Sequence, residues 1–312
     1  CFVLAGLGLA MATSSSALYA VAALAGLGNT VFHPADFTVL NRHVSPPRLG
    51  HAFSVHGLSG NLGWAAAPLF LTGLATLVGW RVAAASTIFV AIPAMLLLWH
   101  NRALLDTGHH AHAAKQSGHG TFDFMRVGAV WLCFAFFFLI TAAFGAIQNF
   151  ATPILQNLYQ LPLGLAATAL STYLLAGAGG ILVGGFVAQK QANDRIIAVV
   201  LGIAALLALL LAANVVPGWA VLPLMAGIGF FSGIAGPSRD LLVRRAATAR
   251  FGQAAYGRIY GFVYSGLDAG LAAAPLVFGG YMDRGEYAAV LIGIAVLQAA
   301  AILTALRVGR AA

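Results

Sequence analysis

Apolar positions in this chain come in long unbroken runs, without the alternation or the three-and-four spacing of a half-buried element. Runs of the roughly 17 to 25 residues that cross a hydrocarbon layer occupy 16–41, 52–77, 81–99, 126–150, 163–188, 196–214, 218–243, 259–281 and 286–306, after a shorter run at 1–12. Each is apolar on nearly all faces and rich in Ala, Leu and Gly, which predicts helices, because a membrane barrel needs alternating segments of about ten residues. A helix satisfies its backbone polar groups within its own segment, as hydrocarbon requires. The pattern predicts an all-α membrane protein.

The runs repeat. Ala25-Gly26-Leu27-Gly28 leading into His33-Pro34-Ala35-Asp36 returns as Ala226-Gly227-Ile228-Gly229 leading into Gly236-Pro237-Ser238-Arg239-Asp240. Asn61 through Pro68 returns as Asp268 through Pro275, so the paired prolines stand 203 and 207 positions apart (237 − 34; 275 − 68). Two halves of apolar helices are how many secondary transporters are built. The half beginning near Arg126 needs a mate about 80 residues before Cys1. On this expectation two helices and part of a third, out of twelve in about 390 residues, precede the sequence.

Composition agrees with the pattern: 61% of residues are hydrophobic and 8% charged, with a mean hydropathy of +0.90. The net charge of +8 is not a nucleic-acid footprint, because Lys and Arg sort by side. Alternating spans place Arg42, Arg48, Arg102, Lys115, Arg126, Lys190, Arg195, Arg239, Arg244, Arg245, Arg250, Arg258, Arg307 and Arg310 on or toward one face and leave Arg81 and Arg284 opposite. The positive-inside rule makes the crowded face, with the linker and C-terminus, cytoplasmic. Cys1 and Cys133 offer neither a disulfide framework nor a thiolate metal site. The domains expected are the N-terminal bundle at 1–100, a polar cytoplasmic linker at 101–124 and the C-terminal bundle at 125–312. The linker carries His109, His110, His112 and His119; imidazole is a metal ligand, but no periodic element holds these four, and the expectation is a solvated connection with no metal.

With the Phe32-His33-Pro34 segment and the Gly63-Trp64-Ala65-Ala66-Ala67-Pro68 segment in view, the chain resembles the major facilitator superfamily, and within it the bacterial drug-efflux type represented by fosmidomycin-resistance proteins. The resemblance implies two six-helix bundles rocking about a central cavity, a small-molecule substrate, no cofactor, a monomer and a bacterial inner membrane. Exporters of the superfamily carry a Gly-x-x-x-Gly-Pro-x-x-Gly pattern in the fifth helix; Ala67 replaces one glycine here. The superfamily's charged loop has a counterpart only in Gly184-Gly185 and Gln189 through Arg195. Gly177, Gly180 and Gly184, with Gly185 beside them, form a small-residue stripe that lets a neighbouring helix come close.

Ionisable groups within spans need a partner or a function. Asp268 stands ten residues, about 15 Å of helix rise, beyond Arg258. A carboxylate so deep has a raised proton affinity and is the first candidate for proton coupling; the alternative is a carboxylate hydrogen-bonded between helices. Asp36 and Arg239 each follow a repeat proline by two positions, which suggests an ion pair across the two-fold, made and broken as a gate. Its alternative is a local pair of Asp240 with Arg244. Pro34 and Pro237 remove a backbone hydrogen bond each and provide bending points for that gate. His33 and His56 titrate near neutrality and are candidate proton relays. Asn61, Gln148, Asn149 and Tyr264 are candidates for the substrate path; ordinary packing explains Tyr173 and Phe262.

These readings converge on a secondary transporter working by alternating access, with proton-driven export preferred to uptake by symport. A membrane enzyme lacks its signatures here, since no metal-binding helix pair, nucleophile elbow or phosphate loop is found. A sensor lacks a soluble output domain, and a channel leaves the repeat unexplained.

Overall fold

The computed structural model describes residues 1–106, 123–188, 194–251 and 256–311. The linker residues His109, His110, His112, Lys115 and His119 and the loop 189–193 lie outside the described residues. The fold is all helix among the described residues: α1 (Phe2–Met11), α2 (Ser15–Asn29), α3 (Phe32–His43), α4 (Leu49–Val78), α5 (Trp80–Ser86), α6 (Ile88–His100), α7 (Gly128–Leu158), α8 (Leu163–Ala188), α9 (Asp194–Ala212), α10 (Val221–Phe251), α11 (Tyr256–Asp283) and α12 (Tyr287–Ala311). Among the described residues eight stretches are long and apolar enough to cross a membrane, α2 with α3 and α5 with α6 each counting as one. Helix α4 adds a further thirty residues. This is a multi-pass membrane protein.

Two predicted spans are interrupted. The Ser14 side chain caps α2 by accepting from the Ala17 N–H at 3.2 Å, and the helix stops at Asn29. Pro34 then falls in the first turn of α3, where a missing N–H costs nothing, and Thr38 Oγ1 donates back to the Pro34 carbonyl at 2.5 Å. The 81–99 run divides at Thr87, whose hydroxyl donates to the Ala84 carbonyl at 2.7 Å. By contrast α10 runs uninterrupted through Pro237. The turn from α4 to α5 needs Gly79, whose φ is +88°, a region other residues rarely enter.

In hydrocarbon no hydrophobic force draws helices together, so close packing by small residues does the work. The glycine stripe of α8 takes α10 at backbone distance. A Cβ on Gly180 would meet the Phe230 carbonyl, one on Gly184 the Ile234 carbonyl, and, from the facing helix, one on Gly233 the Gly177 carbonyl and one on Gly229 the Tyr173 carbonyl. Helix α11 lies on α7 in the same way, through Gly266 against Phe134 and Gly270 against Phe138 and Thr141. Helix α9 sits between α10 and α12, and α12 returns to α7, which closes the C-terminal bundle.

Among the described residues, the contacts between the two halves fall toward the end that carries Arg42, Arg48, Arg195 and Arg258. There α4 packs on α8, with Gly50 against Gly185 and Ala188, and Ser54 Oγ donates to the Ile181 carbonyl at 2.7 Å. Likewise α3 packs on α11, with Thr38 against Gly257 and Pro34 against Gly261. One apolar core near this end unites Phe37, Leu49 and Phe53 with Phe137, Leu201, Ile234 and Val263. The second core is built, among the described residues, from C-terminal residues alone, from Ala143 to Ala295. Further along α4, Gly60 and Gly63 have nothing within 4 Å of a Cβ position. The halves are therefore closed at the Arg-rich end and parted toward the other.

Candidate functional site

The closure is an aromatic and polar cluster between α3, α4, α10 and α11. Phe37 is its centre: buried to 2% exposure, it stacks on Tyr260 at 5.0 Å and lies 4.8 Å from Tyr264 across the interface. On its own side it meets Phe53 at 5.2 Å and the edge of His56 at 5.3 Å. Asn41, one turn on, donates to the Phe37 carbonyl at 2.7 Å and reaches Tyr260 Oη at 3.3 Å. These partners meet because Phe37 and Asn41 share one face of α3, while Gly257, Gly261 and Tyr264 form one stripe of α11 by four- and three-residue spacing. The two glycines let α3 in; Tyr260 and Tyr264 fill the space beside it.

Charges are placed along this seam. Asp36 Oδ2 stands 3.1 Å from His56 Nε2 and 3.9 Å from His33 Nδ1, and its Oδ1 accepts from the Phe37 N–H at 2.7 Å. The His33 ring lies 4.4 Å from that of Tyr264. On the other half Asp240, buried to 5%, accepts from Arg239 Nε at 3.0 Å and from Tyr264 Oη at 2.8 Å. The Arg239 guanidinium rests 4.5 Å above the Phe137 ring. Burying Asp240 and Arg239 is tolerable because each neutralises the other and each has a further partner.

The expected Asp36 to Arg239 pair is not formed; Asp36 turns to His56 and Arg239 to Asp240. The two positions are equivalent in sequence but not in helix rotation, since α3 starts afresh after the break at Thr30 and Val31 whereas α10 passes Pro237 unbroken. Tyr264, expected on the substrate path, is buried in the seam at 3% exposure. Asn61 and Asn149 each donate to the carbonyl four residues back, Gly57 at 2.9 Å and Gly145 at 2.8 Å; Gln148 is half-buried on α7. Asp268 is exposed and has no hydrogen bond or ion pair among the described residues. It continues the stripe of Gly257, Gly261 and Tyr264, seven residues or about 10 Å past Gly261, where the halves have parted. The sequence reading missed Phe37, Asn41 and Tyr260; the four-residue spacing of Phe37 and Asn41 next to His33 was the available signal.

His33, Asp36 and His56 together bring three donor atoms within 4.8 Å of one another. The spacing of His33 and Asp36 on α3 placed two of them on one face. The third arrives from α4, at a distance no sequence pattern encodes.

Two sequence-related sets of membrane helices, joined at one end by a seam with ionisable groups, make this a multi-pass membrane protein that is all helix among the described residues. Residues 1–254 match the Major Facilitator Superfamily, and the chain belongs to that superfamily. It is 29% identical over 206 residues to the fosmidomycin resistance protein of Escherichia coli (strain K12), an alignment that takes in 63% of this chain and 49% of that protein. The match thus spans about half the length of this relative.

Proposed function

We propose that the protein is a secondary transporter that exports a small organic molecule across a bacterial inner membrane in exchange for protons. Membership of the superfamily supports transport, and the name of the relative, a resistance protein, favours export. The distribution of Arg supports a cytoplasmic assignment for the closed end. The observation that carries the reading is that, among the described residues, the contacts between the halves lie at that end. It corresponds to one of the two states of alternating access, open to the outside and shut to the cytoplasm.

In this reading the seam of Phe37, Asn41, Tyr260 and Tyr264 is the cytoplasmic gate, with Asp36, Arg239 and Asp240 supplying its charges and Pro237, inside α10, its bending point, whereas Pro34, in the first turn of α3, removes no helix hydrogen bond. Asp268 stands above the gate in the space between the halves. Taking up a proton from outside removes its charge, so that the halves can close over it at lower desolvation cost. Once the other end opens, the proton leaves to the cytoplasm and substrate takes its turn. His33 and His56, beside Asp36, are relays from the gate. Asn61, Gln148 and Asn149, spaced above it, line the substrate path.

The test is proton flux. The protein is reconstituted in proteoliposomes with a pH-sensitive dye inside, a proton gradient is imposed, and a panel of amphipathic compounds is added to wild type and Asp268→Asn. Substrate-dependent flux in wild type that is lost in the variant supports the reading. Equal flux in both removes Asp268 from the coupling path, and saturable substrate movement without proton flux refutes proton coupling altogether.

A further inference from the structure

We propose that His33, Asp36 and His56 form a binding site for a divalent transition-metal ion of the zinc class, reached from the space between the two halves. The donor set is two imidazoles and one carboxylate, which suits Zn²⁺, Co²⁺ or Ni²⁺ and is poor for Mg²⁺ or Ca²⁺. Ligands at 2.0–2.1 Å from a tetrahedral ion stand about 3.3 Å apart. Here the Asp36 Oδ2 distances are 3.1 Å to His56 Nε2 and 3.9 Å to His33 Nδ1, and no two of the three donors are more than 4.8 Å apart. Side-chain movement of about 1.5 Å closes the widest gap. Three protein ligands leave a fourth position for water.

The surroundings prepare the donors for this. Asp36 Oδ1 is held by the Phe37 N–H at 2.7 Å, which aims Oδ2 at the histidines, and outer hydrogen bonds of this kind orient metal ligands. His56 is held by its edge-on contact with Phe37 and His33 by its contact with Tyr264. His33 Nδ1 is shielded from solvent and has no hydrogen-bond partner, an atom that a metal ion would satisfy. The charges that face the site from α10 are Arg239 and Asp240, both within electrostatic reach of His33. With Asp36 they leave one negative charge in excess when the histidines are neutral, which favours a cation. The three side chains remain between 25% and 31% exposed, so the ion has a path in.

A bound ion ties α3 to α4 behind the seam and occupies the carboxylate and both imidazoles, so it inhibits any proton relay through them. The inference rests on geometry and not on the transport reading: its readout is spectroscopic, and it stands or falls whether or not flux is found.

The experiment uses untagged protein in lipid nanodiscs with His109, His110, His112 and His119 replaced by Asn, which removes linker imidazoles as competing ligands. Co²⁺ is titrated in and the visible ligand-field bands recorded, followed by displacement with Zn²⁺. One equivalent is expected to bind with the intense bands of a four-coordinate site and to be displaced by Zn²⁺. Asp36→Asn, His33→Gln and His56→Gln are each expected to weaken binding by at least about 100-fold, the upper range for loss of even an outer-shell partner. His51→Gln, a change on α4 away from the triad, leaves binding intact. Thermal melts without metal confirm that each variant is folded. Failure of the linker-substituted protein to bind Co²⁺ at micromolar concentration overturns the site, as does binding that survives all three triad substitutions.

Discussion

Replacing Phe37 by Ala tests whether the aromatic seam holds the two halves shut. A buried Phe to Ala change costs about 3–5 kcal/mol in a packed core, but not all of that bears on the gate. Phe53 and His56 belong to the same half as Phe37 and travel with it, so those contacts are lost equally from both states. The pairs with Tyr260 at 5.0 Å and Tyr264 at 4.8 Å cross between the halves and so belong to the shut state. At about 0.5–1.5 kcal/mol for each aromatic pair they sum to about 1–3 kcal/mol, which lowers the ratio of shut to open by about 5- to 150-fold. Spin labels at Ser45→Cys and Met125→Cys, both exposed and on opposite halves at the Arg-rich end, report the separation by pulsed dipolar spectroscopy in a Cys1→Ser background. The parent should show one short distance and Phe37→Ala a second, longer population. A variant that remains folded with an unchanged distance distribution would refute the argument that this ring closes the gate.

Other predictions follow from neighbouring contacts. Tyr264→Phe withdraws the 2.8 Å hydrogen bond to buried Asp240, a loss of about 1–3 kcal/mol; both groups belong to the same half, so the melting temperature in detergent should fall while the label distances stay unchanged. Gly180→Ala drives a methyl into the Phe230 carbonyl, whereas Gly179 has nothing within 4 Å of its Cβ position. Melting in detergent should fall for Gly180→Ala by the several degrees that about 1–3 kcal/mol of overpacking brings and stay level for Gly179→Ala; equal melts would contradict the close approach of α8 and α10. Maleimide should label exposed Cys1 in the native protein and reach Cys133, buried at 3% exposure, only after denaturation. Labelling of both in the native state would show that α7 is not packed as described.

The spans and their order were legible in the sequence because lipid imposes them locally. A run must be long and apolar enough to cross, and its backbone must close on itself, whatever its neighbours do. The small-residue stripe of α8 was legible for the same reason, since Gly177, Gly180 and Gly184 share a face by helical period alone. What escaped was relative rotation. Nothing local states that α3 restarts after Val31 while α10 continues through Pro237, and that difference sends Asp36 to His56 and Arg239 to Asp240. The seam partners Phe37 and Tyr260 stand 223 positions apart (260 − 37), and the third donor beside His33 and Asp36 comes from another helix. Such meetings depend on how deeply each helix sits and which way it is turned, and those follow from the packing of glycines against backbone across the whole bundle.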